Sequence, residues 1–151
     1  MAEIIRQCDQ LGVPHPVVSQ PMYNLAMRMP ENDMLPACEY FGIGVAPFSP
    51  LARGVLTGKY DPAKPPPASS RAGRGTTPAE FAVLWVLNNR IVTSVIAGPR
   101  TITQWKAYIG ALAHEFTPED EALVDSLVAA GHPAAPGLNW MRHPPRGRRT
   151  G

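Results

Sequence analysis

The stretch GIGVAPFSPLARGVLTGKY, residues 42–60, puts a short apolar run directly before a loop rich in glycine and proline. Residues 43–46 are apolar without alternation, as expected of a parallel strand that is buried on both faces. The loop after them combines the aromatic ring of Phe48 with two basic side chains, Arg53 and Lys59. Because ligands bind beyond the carboxyl ends of parallel strands, this stretch predicts a strand followed by a ligand-binding loop.

The residues before this stretch predict two helices and one more strand. Residues 2–11 place apolar side chains on one helical face, and Gly12 stands where helices commonly end. The run 16–22 is typical of a short strand, with Pro21 marking its end or an irregular edge. Residues 32–41 predict a second helix, which Gly42 ends just before the strand at 43–46.

The residues after the stretch continue the same alternation. The proline-rich segment 61–77 is predicted as a loop, and Thr77 then has the spacing of a capping box for a helix to about Asn88. Residues 92–97 predict a third strand and residues 101–113 a helix. A last helix is predicted to begin after Thr117 and to end near Gly131.

Alternation of helices and strands without hairpin signals predicts a parallel sheet with right-handed crossovers. The fold class is therefore α/β. Three strands form an incomplete sheet, either of a doubly wound fold or of a closed barrel.

Residues 96–104, IAGPRTITQ, join a strand to a helix through a glycine turn. The free N–H groups at the start of a helix attract anions, and Gly98 allows a ligand to approach the backbone closely. Arg100 adds a fork of donors that matches a phosphate. This turn therefore predicts a phosphate site at the carboxyl end of the third strand.

Composition excludes several other classes of protein. No apolar run is long enough for a membrane span, and no signal peptide is evident, so we expect a cytoplasmic protein. Cys8 and Cys38 are expected to be reduced thiols. We predict no metal site, because the histidines are scattered at His15, His114, His132 and His143.

The formal net charge of +2 depends on a basic tail. A nucleic-acid interface would rest on this tail alone, and a solvated chain end explains it more simply. We therefore predict no nucleic-acid partner. The tail's basic residues are Arg142, Arg146, Arg148 and Arg149.

Together with residues 42–60, the strings SQPMYN (19–24), TPAEFAVLWVL (77–87) and VTSVIAGPRTITQ (92–104) resemble the aldo-keto reductases. That family reduces carbonyl compounds with NAD(P)H on an eight-stranded β/α barrel. The resemblance covers nearly the whole chain.

The resemblance implies a partial (β/α)8 TIM barrel, made of about the last three β/α units and a C-terminal helix. It assigns residues 1–131 to the barrel, with the proline-rich loop at 61–77, and residues 132–151 to a C-terminal tail.

The resemblance also implies which residues contact the nicotinamide half of the cofactor. Gln20 would hydrogen-bond the carboxamide, and Phe48 stands where the family stacks an aromatic ring on the nicotinamide. The loop that wraps the pyrophosphate would consist of Ser49, Pro50, Leu51, Ala52, Arg53 and Gly54.

The resemblance implies that the turn after the third strand binds the adenosine half of the cofactor. Gly98, Arg100 and Gln104 would hold it, and an Arg100 placed near the 2′-phosphate favours NADPH over NADH. Lys59 and Arg71 stand where the family adds further cofactor contacts.

The sequence departs from the family pattern in three places. The acid and the asparagine that read the adenine are replaced by Ala107 and Tyr108, of which Tyr108 offers only stacking. The segment from Arg71 to Thr76 lacks a stretch that often forms a helix. The family's catalytic Asp, Tyr, Lys and His precede the region matched here, so we assign no catalytic residue.

Two functions remain open. The first is a C-terminal fragment of an NADPH-dependent oxidoreductase with a small carbonyl substrate, inactive alone. The second is a non-catalytic nucleotide-binding or regulatory module completed by a partner chain. Open sheet edges favour either such a partner or self-association.

Overall fold

Two short parallel strands form the centre of the protein. The computed structural model describes residues 1–57 and 76–134. β1 (Val18–Ser19) pairs with β2 (Gly44–Val45), with Val18 opposite Gly44. Single parallel bridges extend the arrangement from Met22 to Phe48, from Val45 to Val92 and from Phe48 to Ile96. The predicted α/β class and parallel order are therefore confirmed.

Five α-helices surround these strands within the described residues. α1 (Ala2–Leu11) and α2 (Met34–Phe41) end at glycines in the left-handed conformation, Gly12 with φ of 65° and Gly42 with φ of 66°. Glycine adopts this conformation without a steric penalty, which is why both helices stop there. The others are α3 (Pro78–Asn88), α4 (Ile102–Gly110) and α5 (Pro118–Leu127).

The main core joins α1, α2, α3 and α5 to the strands. α3 lies deepest, because its residues from Ala82 to Val86 are all buried, as expected of a helix that is apolar on every side. The buried members of this core are Ile5, Tyr23, Leu35, Cys38, Ile43, Val45, Trp85, Val86 and Val124.

The prediction of a third strand at 92–97 is wrong, because this segment forms only isolated bridges at Val92 and Ile96. The N–H groups of Thr93 and Ser94 both donate to the carbonyl oxygen of Val45, at 2.8 and 3.3 Å. The Val45 N–H in turn donates to the side-chain oxygen of Thr93, at 3.2 Å. The threonine hydroxyl thus replaces a backbone acceptor and interrupts the ladder, although the segment still runs parallel to β2.

Other predicted boundaries shift by a few residues. The predicted strand 16–22 is regular only over Val18–Ser19, and the second helix begins at Met34 rather than at residue 32. The fourth helix ends at Gly110 and continues as a 3₁₀ turn over Ala111–Ala113. The last helix ends at Leu127 instead of near Gly131, because Val128 is extended.

Replacing Thr77 with alanine is expected to lower the free energy of unfolding by about 1 kcal/mol. The Thr77 hydroxyl accepts the N–H of Glu80 at 3.2 Å, and the Glu80 carboxylate accepts the N–H of Thr77 at 2.7 Å. Urea unfolding measures the loss. The control Thr103→Ala changes an exposed threonine inside α4, so it should stay within about 0.5 kcal/mol of the parent. Equal losses in both variants would show that the cap contributes nothing.

Candidate functional site

The carboxyl ends of all three strand segments meet around Phe48. Its N–H donates to the carbonyl of Pro21 at 3.0 Å, and the N–H of Ile96 donates to the carbonyl of Pro47 at 2.8 Å. The three stretches singled out in the sequence therefore lie side by side at one edge. This is the edge at which parallel α/β sheets bind ligands.

The loop after β2 is held in an unusual backbone conformation. Ser49, Ala52 and Arg53 have positive φ values of 58°, 46° and 58°, although none is glycine. Such conformations cost about 1–3 kcal/mol each and persist where surrounding structure enforces them. Two short 3₁₀-like turns within Ala52–Thr57, separated by a kink at Arg53 and Gly54, occupy part of the segment that the sequence predicts as plain loop. Contacts with the surrounding structure must therefore hold this loop in its conformation.

A buried amide fixes this loop to the end of the first strand segment. Asn24 is almost fully buried, and its Nδ2 donates to the carbonyl oxygen of Ser49 at 2.9 Å. Its Oδ1 accepts the N–H of Ala26 at 3.0 Å. Sequence reasoning quoted Asn24 as part of a motif but gave it no role. The available signal was an asparagine just beyond a strand end, where its amide can bond backbone groups.

The turn into α4 is ordered by two side-chain hydrogen bonds. Thr101 caps the helix by accepting the N–H of Gln104 at 3.2 Å, and Gln104 Oε1 accepts the N–H of Arg100 at 2.7 Å. The side chain of Gln104 therefore orders the turn itself. Arg100 and Gln104 are both exposed, so the guanidinium and the first turn of α4 face solvent.

The structure brings most of the predicted cofactor residues to this one edge. Gln20, Phe48, Arg53, Gly98, Arg100 and Gln104 are exposed there, Pro50 is buried, and Ser49, Leu51, Ala52 and Gly54 are half-buried. Lys59, Arg71 and the shortened segment before Thr76 lie outside the described residues.

Tyr108 is used for packing. It lies against the small core formed by Val83, Leu84 and Ala111. A ring in that position is engaged with the helix interface, so the structure lends no support to stacking of Tyr108 on an adenine.

A second polar cluster, which we call the Arg28 cluster, went unnoticed in the sequence. The Arg28 side chain is only 4% exposed, and its Nε donates to the Glu31 carboxylate at 3.0 Å. Its Nη1 donates to Asp125 at 2.6 Å, and its guanidinium lies 5.3 Å from the centre of the Trp85 ring. The contact with Asp125 joins residues that are distant in sequence. Only the pair of Arg28 and Glu31, three residues apart, could be recognised from the sequence.

This cluster borders a cavity of about 350 Å³. The cavity is lined by Tyr23, Arg28, Glu31, Trp85, Asn88, Asn89, Arg90 and Glu121. Burial alone lowers the pKa of Arg28, but hydrogen bonds to Glu31 and Asp125 outweigh it, so the pKa lies above its usual range. The guanidinium is therefore fixed as a cation with carboxylate partners of its own, and we assign the cluster a structural role.

Raising the pH above about 10 is expected to destabilise the protein through Tyr23. Burial, with the adjacent Glu31 carboxylate, raises the pKa of the Tyr23 phenol well above its usual range. The folded state thus keeps a proton that the unfolded state releases, so stability is full below pH 10 and declines as the pH rises further. Urea unfolding at about pH 8 and about pH 11 should show a smaller loss in Tyr23→Phe than in the parent.

Tyr40→Phe is the matched control for this prediction, because the Tyr40 side chain is 83% exposed. It should keep the parent's alkaline loss. An alkaline loss that is the same in both variants would contradict the assignment to Tyr23.

No helix within the described ranges 1–57 and 76–134 is both long enough and apolar enough to cross a lipid bilayer. No group of three His, Cys, Asp or Glu side chains converges there as metal ligands would.

Comparison with known proteins gives one matching family. The sequence model of the aldo/keto reductase family matches residues 1–129. A probable voltage-gated potassium channel subunit beta of Oryza sativa subsp. japonica is 32% identical, over 78% of this chain and 47% of that protein. An L-glyceraldehyde 3-phosphate reductase of Escherichia coli O157:H7 is 30% identical, over 76% of this chain and 42% of that protein. An aflatoxin B1 aldehyde reductase member 2 of Rattus norvegicus is 45% identical over 60 residues.

The lengths of these alignments carry further information. The chain spans less than half the length of each of these relatives. The rice alignment runs over 154 positions, more than the 151 residues of this chain, although it covers only 78% of them. The rice protein therefore has residues inside the matched region that this chain lacks.

Proposed function

Because the chain belongs to the aldo/keto reductase family, we propose that it is the cofactor-binding C-terminal unit of an NADP(H)-dependent oxidoreductase that interconverts carbonyl compounds and alcohols. The observation that carries this proposal is the meeting of three strand ends around Phe48. Two of the relatives are named as reductases of carbonyl compounds, an aldehyde reductase and a glyceraldehyde phosphate reductase. The substrate of this protein is accordingly proposed to be a small carbonyl compound.

The exposed groups at this edge fit a nicotinamide dinucleotide. Gln20 offers an amide for the carboxamide, and Phe48 offers a flat ring beside it. The loop from Ser49 to Gly54 would follow the pyrophosphate, with Arg53 supplying positive charge. When bound, the cofactor supplies the hydride, and these residues orient it.

We propose that the turn before α4 binds the adenosine half of the cofactor. Arg100 is exposed at the helix N-terminus, where its guanidinium and the helix dipole both favour an anion. Gln104 keeps the turn in shape through its bond to the Arg100 N–H. We propose that Arg100 binds the 2′-phosphate, which makes NADPH the preferred cofactor.

Replacing Arg100 with alanine is therefore expected to raise the Kd for NADPH about 10- to 100-fold, the value of one charge-assisted hydrogen bond. The Kd for NADH, which lacks the 2′-phosphate, should change about twofold or less. Fluorescence titration with both cofactors measures the difference. In the control Arg90→Ala, the lost side chain is 81% exposed and pairs with Glu39, so both Kd values should stay unchanged.

The outcome that would refute this role is an equal change for both cofactors in Arg100→Ala. In that case Arg100 would act on the shape of the turn, and the 2′-phosphate would lie elsewhere.

The second candidate is a non-catalytic nucleotide-binding or regulatory module. It is favoured by the relatives named as potassium channel subunits, of which the rice protein is one. A complex of this chain with a completing partner chain would support this candidate if it bound NADPH but did not consume it when an aromatic aldehyde is added. Consumption of NADPH by the same complex would support the reductase.

A further inference from the structure

The carbonyl oxygen of Ser49 accepts two hydrogen bonds, one of them from a side chain far away in the sequence. The Ala52 N–H donates to it at 3.0 Å, which closes a tight turn over residues 49–52. The Nδ2 of Asn24 donates to it at 2.9 Å. A carbonyl oxygen has two lone pairs, so both bonds form together. The turn that opens the loop after β2 is therefore held by its own backbone and by the amide of Asn24.

The Asn24 amide is itself fixed in place. Only 1% of Asn24 is exposed, and its Oδ1 accepts the N–H of Ala26 at 3.0 Å. The backbone N–H of Met27 donates to the Asn24 carbonyl at 2.8 Å, and the N–H of Ala134 donates to the Ala26 carbonyl at 2.9 Å. Because both ends of the amide are bonded and its turn is tied down, the amide presents its donor to the Ser49 carbonyl at a fixed point.

The loop depends on such a hold, because its backbone conformation is unfavourable by itself. Ser49, Ala52 and Arg53 have φ values of 58°, 46° and 58°, in a region that side chains other than glycine avoid. Without contacts from elsewhere, these residues would return to negative φ values. The bond from Asn24 connects this strained turn to a buried residue 25 positions earlier in the chain.

We propose that Asn24 is a positioning residue for the dinucleotide cofactor, because it holds the turn at Ser49 in the conformation that receives the pyrophosphate. The inference rests on the proposed function, which assigns residues 49–54 to the pyrophosphate. Asn24 is too deeply buried to touch the cofactor, so it acts through the loop. A loop that spends less time in the binding conformation binds more weakly in the same proportion.

The substitution Asn24→Asp tests this role, because it separates the two bonds of the amide. The aspartate carboxylate can still accept the Ala26 N–H, but it has no donor for the Ser49 carbonyl and repels it. We expect the Kd values for NADPH and for NADH both to rise about tenfold, since both cofactors contain the pyrophosphate. Fluorescence titration of the full chain measures both.

Adenosine 2′-monophosphate is the probe that distinguishes positioning of the loop from a general effect on the fold. It carries the 2′-phosphate that we assign to Arg100 but has no pyrophosphate. Its Kd, measured by titration calorimetry, should change about twofold or less in Asn24→Asp, because the turn before α4 makes no use of the Asn24 amide.

A second variant and a matched control complete the experiment. Asn24→Ser introduces no buried charge, and its hydroxyl can bond the Ala26 N–H but is too short to reach Ser49, so it should weaken NADPH binding as Asn24→Asp does. In the control Asn32→Asp, the lost amide also donates to a backbone carbonyl, that of Gly131 at 2.7 Å, outside residues 49–54. The control should leave all three Kd values within about twofold of the parent.

The possible failures of this inference and of the proposed function differ. A parent that binds NADPH, with an unchanged Kd in both Asn24 variants, would overturn the role of Asn24 and leave the cofactor site standing. An equal loss of affinity for NADPH and for adenosine 2′-monophosphate would mean that Asn24 supports the whole fold, and would also overturn the inference. A parent that binds neither ligand would refute the cofactor site and the role of Asn24 with it.

Discussion

Replacing Arg28 with methionine is expected to lower the free energy of unfolding by about 3 kcal/mol, the lower end of the range for breaking a buried ion pair. Methionine keeps much of the volume of arginine but leaves Glu31 and Asp125 without their cation. It also removes the bond from Nη1 to the Val128 carbonyl, at 2.8 Å, which anchors the end of α5. The lower end applies because the Asp125 side chain is half exposed and can be hydrated.

Urea unfolding of Arg28→Met beside Arg90→Met measures this effect. Arg90 pairs with Glu39 at 2.6 Å but lies on the surface, so its loss should cost about 0.5 kcal/mol or less. Losses below about 1 kcal/mol in both variants would mean that the Arg28 cluster does not join the loop after β1 to α5.

Replacing Trp85 with alanine is expected to cost about 3–5 kcal/mol, because it removes the largest side chain from a close-packed core. Trp85 is 3% exposed, and its ring centre lies 5.0 Å from that of Tyr23. The same substitution would remove the aromatic face beneath the Arg28 guanidinium. Trp85→Ala should therefore weaken both the hydrophobic core and the Arg28 cluster.

Trp105→Ala provides a control with the same chemical change at an exposed position. It should change the free energy of unfolding by about 0.5 kcal/mol or less in the isolated chain. If Trp105→Ala proved as costly as Trp85→Ala, burial of Trp85 would not be the source of its contribution.

Sequence patterns located the elements that depend on local signals. Gly12 and Gly42 end their helices as predicted, and Thr77 forms the capping box that its spacing to Glu80 indicated. These features depend on residues within one turn of each other, so they can be inferred without knowledge of the fold.

Features that depend on distant partners escaped prediction. Regular pairing at 92–97 is lost because the Thr93 hydroxyl bonds β2, nearly fifty residues earlier in the chain. The contact of Arg28 with Asp125 spans 97 residues and left no sequence pattern. Asn24 likewise acts on Ser49 only after the strands have aligned, so its role in shaping the candidate site became visible only in three dimensions.

The candidate site could be predicted in part, because it depends on both local signals and distant contacts. The sequence placed Phe48 and Gly98 after strand segments, and parallel order then required their loops to meet at one edge. The positive φ values at Ser49, Ala52 and Arg53 were not foreseeable, because nothing in those side chains favours that conformation.

Titration of the purified chain with NADPH, followed by cofactor fluorescence and by thermal melting, tests the central claim most directly. The account predicts saturable binding with a Kd in the micromolar range and a melting temperature that rises with NADPH concentration, by mass action on the folded state. Unchanged fluorescence and an unchanged melting temperature at millimolar NADPH would contradict the claim that the strand ends around Phe48 form a cofactor site.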